Sequence, residues 1–311
     1  FGFDTAVISG VTTALRKVFE LSDAGLGLTV AVALLGTCVG ALGAGLVGNR
    51  LGGRDTLKMV GFLFALASIG CAFAPDIYVF GVSRLALGVA VGGASVLAPV
   101  YISEIVPARH RGFMVGLFQF NIVLGILLAY LSNFLVGQLV GGIDVWRWKV
   151  GVAAVPSIFF FAMLFAIPQS ARWLVSKGRI AEAEASLRRV GAHETLSEIS
   201  APEEGQGRLN WRLHKKPIVL AVSLAFLNQF TGINAILYYL NDIFASAGFG
   251  NVSGDLQAVA VGLANLLATL VGMTLIDRLG RKTLLVTGAC VMAIALAGVA
   301  LVMGSGQGSQ Y

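Results

Sequence analysis

The sequence predicts an all-α, multi-pass membrane protein, and three observations carry that prediction. Hydrophobic residues make up 57% of the 311 residues and charged residues only 12%, about half the charge that a soluble surface carries. The apolar residues come in runs long enough for bilayer-crossing helices, which take roughly 20 residues each, and mean hydropathy is +0.84. Most of the polar segments between these runs are short and basic, as interhelical loops of membrane proteins are.

Nine apolar runs follow in order, at 1–15, 24–48, 59–75, 77–101, 112–136, 150–168, 217–246, 256–276 and 283–304. The first opens at Phe1, with no initiating Met and no cleavable signal peptide, so the chain reads as a fragment. The second carries Gly36, Gly40, Ala44 and Gly48 at four-residue intervals. Such a stripe lets a neighbouring helix approach closely where lipid removes the hydrophobic drive for association. Arg84 lies in the fourth run, followed by Gly88 and Gly92 at the same interval. The seventh contains Gly232, a place for a helix to bend or unwind.

Orientation follows from Lys and Arg. Alternate loops hold Arg50, Arg54 and Lys58, then Arg109 and Arg111, then the 169–216 stretch, then Arg278, Arg281 and Lys282, together 17 of the 22 basic residues. The opposite loops hold Arg16, Lys17, Arg147 and Lys149. The positive-inside rule puts the first set in the cytoplasm, with the first run passing outward. Basic charge spread over loops, rather than gathered on one patch, excludes nucleic acid as a partner.

The domain boundaries predicted are 1–168, with six runs, a cytoplasmic linker at 169–216, and 217–311, with three. The composition of Arg179–Arg189 favours short amphipathic helices within the linker. There is also an internal echo. Asn49-Arg-Leu-Gly-Gly-Arg-Asp-Thr-Leu follows the second run, and Asp277-Arg-Leu-Gly-Arg-Lys-Thr-Leu follows the eighth. Two copies six runs apart imply parallel six-helix halves, the repeat plan of many secondary transporters. The second half would then lack its last three helices.

An ionisable group at membrane depth is costly and marks function by default. Asp4 in the first run and Arg84 in the fourth could offset each other's burial, and protonating the carboxylate would weaken the pair, which makes a proton switch. Uncharged polar residues supply the substrate side. Gln119, Gln229, Asn234 and Asn265 are amides that both donate and accept, which suits a hydroxyl-rich neutral ligand, while Phe1, Tyr238 and Tyr239 offer apolar faces to a sugar ring. On an ideal helix Gln229 and Asn234 would lie about 140° apart, so a bend at Gly232 is needed to turn them to one cavity. Cys38, Cys71 and Cys290 lie far apart inside apolar runs and read as small buried hydrophobes. The three histidines fall in cytoplasmic stretches, and no metal-ligand, protease or hydrolase motif is present, so neither an enzyme nor a bound cofactor is expected.

These residues resemble the sugar porter family of the major facilitator superfamily. The match rests on Phe1–Gly10, on Arg84-x-x-x-Gly88 leading to Pro99-Val-Tyr-Ile-Ser-Glu-Ile-Val-Pro-Ala-Arg-His-Arg-Gly112, on Asn228-Gln-Phe-Thr-Gly-Ile-Asn234-Ala-Ile-Leu-Tyr-Tyr239, and more weakly on Asp277-Arg-Leu-Gly-Arg-Lys282. The resemblance implies a major facilitator fold and sugar-contacting roles for Phe1, Gln119, Asn228, Gln229, Asn234, Tyr239 and Asn265. It implies that Asp4 and Arg84 match the coupling pair of bacterial proton-driven symporters, such as those for xylose. It further implies a cytoplasmic gate of Arg50, Glu104, Arg111, Arg172, Asp277, Arg278 and Arg281. Three departures stand out. Asn228 replaces the first of a Gln pair, which is expected to shift sugar preference. Pro168-Gln-Ser-Ala-Arg172 replaces Pro-Glu-Ser-Pro-Arg, which removes a carboxylate from the gate and is expected to ease inward opening. The tenth to twelfth helices are absent. The expectation is therefore a monomeric monosaccharide:proton symporter of the plasma (inner) membrane bilayer; a facilitative uniporter and a non-transporting sugar sensor stay open as alternatives.

Overall fold

The computed structural model describes residues 1–106, 108–142, 144–190, 211–246 and 254–304, all of them helix, turn or connecting segment. The helices are α1 (Gly2–Val7), α2 (Thr12–Val18), α3 (Asp23–Leu51), α4 (Gly53–Ala72), α5 (Ile77–Ile105), α6 (Ala108–Leu139), α7 (Val145–Gly151), α8 (Ala154–Met163), α9 (Ala171–Ser176), α10 (Ile180–Val190), α11 (Trp211–Gln229), α12 (Ile233–Tyr238), α13 (Leu240–Ser246), α14 (Gly254–Leu279) and α15 (Arg281–Gly304). Among the described residues, seven stretches are long and apolar enough to cross a membrane. The other two of the nine expected runs are present as broken helix. The first is α1, a 3-10 turn at Ile8–Gly10, and α2. The seventh is α11 to α13, interrupted at Gly232.

Caps decide where several helices begin. Ser22 and Asp76 stand at the N-termini of α3 and α5, and their side chains accept from the amides of Gly25 (3.1 Å) and Val79 (2.9 Å), satisfying donors that a helix start leaves free. The α3–α4 junction turns at Gly52, whose φ of +87° suits glycine, and an added Cβ would press on Gln169. Its counterpart in the second loop copy, Gly280, has φ +77° and joins α14 to α15. The echo seen in the sequence is thus repeated in the backbone.

The glycine stripes do what their spacing predicts. Gly36 and Gly40 of α3 face Gly88 and Gly92 of α5 so closely that a Cβ on any of the four would collide with a backbone carbonyl oxygen of the other helix. α5 thereby lies against α3, and also packs on α4, while α1 lies along α6 and α8 on α4. One apolar cluster gathers Ile8, Val11, Leu26, Phe80, Leu87 and Trp146 around the first broken segment. A second joins Ala6, Val7 and Tyr130 to Leu237, Leu240 and Ala258, and so ties the first half to α12–α14. α15 contributes no buried residues to its candidate span, a surface that lipid or another apolar partner tolerates and water does not.

The α3–α5 contact predicts a selective effect. Gly40→Ala should cost about 1–3 kcal/mol through overpacking, read as a lower Tm in detergent. Gly43→Ala, three residues away with open space around it, should leave Tm within a degree or two.

Candidate functional site

Arg84 sits in the second turn of α5, and the close approach of that helix places its guanidinium beneath the first broken segment. Its Nη1 donates to Asp4 Oδ1 at 3.1 Å, and the two side chains are only 3% and 8% exposed. Arg84 Nε has no hydrogen-bond partner. Cys71 and Tyr238 lie within electrostatic reach of both charges. A buried pair of this kind contributes little net stability, but removing one charge costs about 3–5 kcal/mol because the other is stranded. Protonating Asp4 would therefore destabilise this arrangement of α1 against α5.

The seventh run supplies the amides. α11 ends at Gln229, Gly232 adopts a left-handed φ of +73°, and α12 begins at Ile233. The break brings Asn234 round so that its Nδ2 donates to Gln229 Oε1 at 3.0 Å, which a straight helix would prevent. Tyr238 follows Asn234 by one turn on α12 and is 8% exposed. One short helix thus links an amide pair to the ion pair. Gln119 on α6 is exposed, Asn265 on α14 is half-buried, and Tyr239 packs against the first cluster. Phe1 is 45% exposed. With Asp4, Phe64, Phe118, Asn121 and Phe160 it lines a cavity of about 250 Å³ within the first half. The Asn228 side chain lies outside the described residues.

At the cytoplasmic end the residues expected to form a gate divide. The side chains of Arg111, Asp277, Arg278 and Arg281 lie outside the described residues. Arg50 and Arg172 are exposed, on α3 and α9, and Glu104 is half-buried beside Trp173 and Asn49. Close by, Asp55 pairs with Arg54 (3.0 Å) and Lys58 (3.2 Å). Gln169, 7% exposed, accepts from the Arg54 and Ser170 amides and donates to Asp55 Oδ2 (3.3 Å) and the Leu51 carbonyl (3.4 Å). The residue that replaces the expected Glu is thus built into the loop, and its NH₂ group complements the Asp55 carboxylate.

Three residues escaped sequence reasoning. Asp55 was legible as an acid one and three residues from cations at the start of a helix. Lys149 and Asp255, paired at 2.6 Å, are opposite charges just outside two apolar runs on the same side of the membrane. Nothing local shows that those two ends meet.

A polytopic α-helical bundle with a buried carboxylate–guanidinium pair and a broken, amide-bearing helix defines a membrane transporter. The chain belongs to the family described as sugar (and other) transporter, whose family model matches residues 1–310. It is 37% identical to the glucose transport protein of Synechocystis sp. over 98% of this chain and 69% of that protein. It is 36% identical to the galactose-proton symporter of Escherichia coli over 95% and 65%. The chain therefore spans about two thirds of the length of these relatives. Among solved structures, the xylose transporter XylE from E. coli in a partially occluded inward-open conformation aligns with TM-score 0.79 at 33% identity, over 91% of this chain and 71% of that one.

Gln169→Leu should lower stability by about 1–3 kcal/mol, since the Arg54 and Ser170 amides lose a buried acceptor. Thermal unfolding in detergent reads this as a reduced Tm, and Gln169→Glu, which keeps the acceptor but sets a second carboxylate against Asp55, should lower Tm as well.

Proposed function

We infer that this chain carries the translocation core of a monosaccharide:proton symporter working by alternating access. The single observation that carries the reading is the buried Asp4–Arg84 pair, one charge on the first segment and the other on α5. Family membership and the proton-symporter relative support it. In this reading residues 1–168 form a six-span bundle, 169–216 a cytoplasmic linker, and 217–311 helices seven to nine of a second bundle. The monomer is the working unit, because proton site and amides arise within one chain, and the plasma membrane is its location.

Sugar hydroxyls replace the mutual hydrogen bond of Gln229 and Asn234, with Gln119, Asn228 and Asn265 as further amide contacts and Phe1 and Tyr239 as apolar faces. Asp4 takes a proton from the outer side, which leaves Arg84 without a charged partner and loosens α1 from α5. Tyr238, one turn from Asn234 and beside the ion pair, passes the change between the sugar and proton sites. The halves then rock, and sugar and proton leave on the cytoplasmic side. Arg50, Glu104, Arg111, Arg172, Asp277, Arg278 and Arg281 form the cytoplasmic gate, anchored by the Asp55–Gln169 loop.

Two variants test the reading in proteoliposomes. Asp4→Asn should abolish accumulation of sugar against its gradient while leaving sugar exchange intact; a variant that still concentrates sugar contradicts the coupling role. Asn234→Ala should weaken sugar affinity about tenfold by removing one hydrogen-bonding amide, measured as a raised KM in zero-gradient exchange.

A further inference from the structure

Asp4 and Arg84 both belong to the first half, so their pairing cannot by itself hold the two halves together. A different charge pair does cross between them. Lys149 on α7 places its Nζ 2.6 Å from Asp255 Oδ2, at the start of α14, with the side chains 10% and 16% exposed. The same ammonium donates to the Gly10 carbonyl (3.2 Å), where the first segment breaks, and Asp255 Oδ1 accepts from Asn241 on α13 (2.6 Å). Thr13 of α2 donates to Asp242 of α13 at 3.3 Å, a second crossing close by in the chain. Gly137 of α6 faces the pair, and even a Cβ there would touch both partners. All these residues lie at the ends opposite the Arg- and Lys-rich loops, that is, on the outer side.

We propose that Lys149 and Asp255, with Gly10 and Asn241, form an outer-side latch that holds the two halves shut when the sugar site faces the cytoplasm. The proposal rests on the alternating-access reading. The physical case is the pair's partial burial. Both charges are largely withdrawn from water, so each is stabilised chiefly by the other and by its polar neighbours. Separating the halves at this end would return both groups to water, where each is well solvated, so the contact can open without stranding a charge. Removing either charge while the halves stay closed leaves the other uncompensated. That penalises only the outer-closed state and shifts the population toward outward-facing. Lys149 and Asp255 act as positioning residues with no sugar contact.

The probe is a cysteine at Leu240, which is 4% exposed and packed between the halves, in a background lacking Cys38, Cys71 and Cys290. In proteoliposomes, a membrane-impermeant maleimide added outside should label Leu240→Cys about tenfold faster or more when Asp255→Asn or Lys149→Gln is present. The exchanged pair Lys149→Asp/Asp255→Lys should return labelling toward the parent rate, which a merely misfolded protein would not do. Unchanged labelling in single variants that retain the parent's Tm, or failure of the exchanged pair to reverse the increase, overturns the latch. Labelling reads conformation without sugar, so the two readings separate. A parent that moves no sugar but shows the pattern keeps the latch and loses the transport reading, whereas a transporting parent without the pattern loses only the latch.

Discussion

A carboxylate and a guanidinium, each largely withdrawn from solvent, stand 3.1 Å apart near the centre of the first half, and much of the surrounding architecture serves to keep them there. The low dielectric makes the pair sensitive to charge and to geometry, since either ion alone would be costly while the neutral and well-paired forms are tolerable. The α3–α5 glycine contact sets the position of α5 and hence of Arg84. The breaks at Ile8–Gly10 and Gly232 let α1 and α12 approach it as short helices, unlike the long rods around them. Asp4 thus meets a residue of the helix that the glycine contact positions, and Tyr238 of α12 lies within electrostatic reach of both charges.

Two further polar assemblies sit at the ends of the molecule, and they differ in kind. The cytoplasmic one, around Asp55 and Gln169, joins the α3–α4 loop to the segment leading into α9 through hydrogen bonds to backbone as well as charge. It stabilises a loop conformation that Gly52 alone permits. The outer one, Lys149 with Asp255, joins the first half to the second through a single charge pair and its neighbours. Contacts of the first kind resist rearrangement, whereas an ion pair that both partners can exchange for water is suited to repeated opening.

Much of the fold was legible because a bilayer imposes simple rules. Length and hydropathy located the long helices, and four-residue glycine spacing located the α3–α5 contact. The loop echo anticipated the matching turns at Gly52 and Gly280. The expected count of nine spans met seven candidates among the described residues, because hydropathy does not register a helix break that needs only one residue. The same break explains why Gln229 and Asn234, far apart on an ideal helix, share a hydrogen bond. α4 begins at Gly53 rather than near 59, since a polar first turn can be helical without being apolar. Two charges inside apolar runs suggested the Asp4–Arg84 pair, as each needed a partner. Lys149 and Asp255 gave no such signal, because at helix ends water would serve either of them equally well, and only the packing of both α7 and α14 on α6 decides otherwise.

Coupling of sugar to proton is the claim on which the rest turns. It is tested most directly by adding a monosaccharide such as xylose, galactose or glucose to lightly buffered proteoliposomes and following external pH. The account predicts that sugar entry is accompanied by alkalinisation of the medium, and that a proton ionophore abolishes the pH change. Sugar entry with no movement of protons would contradict it.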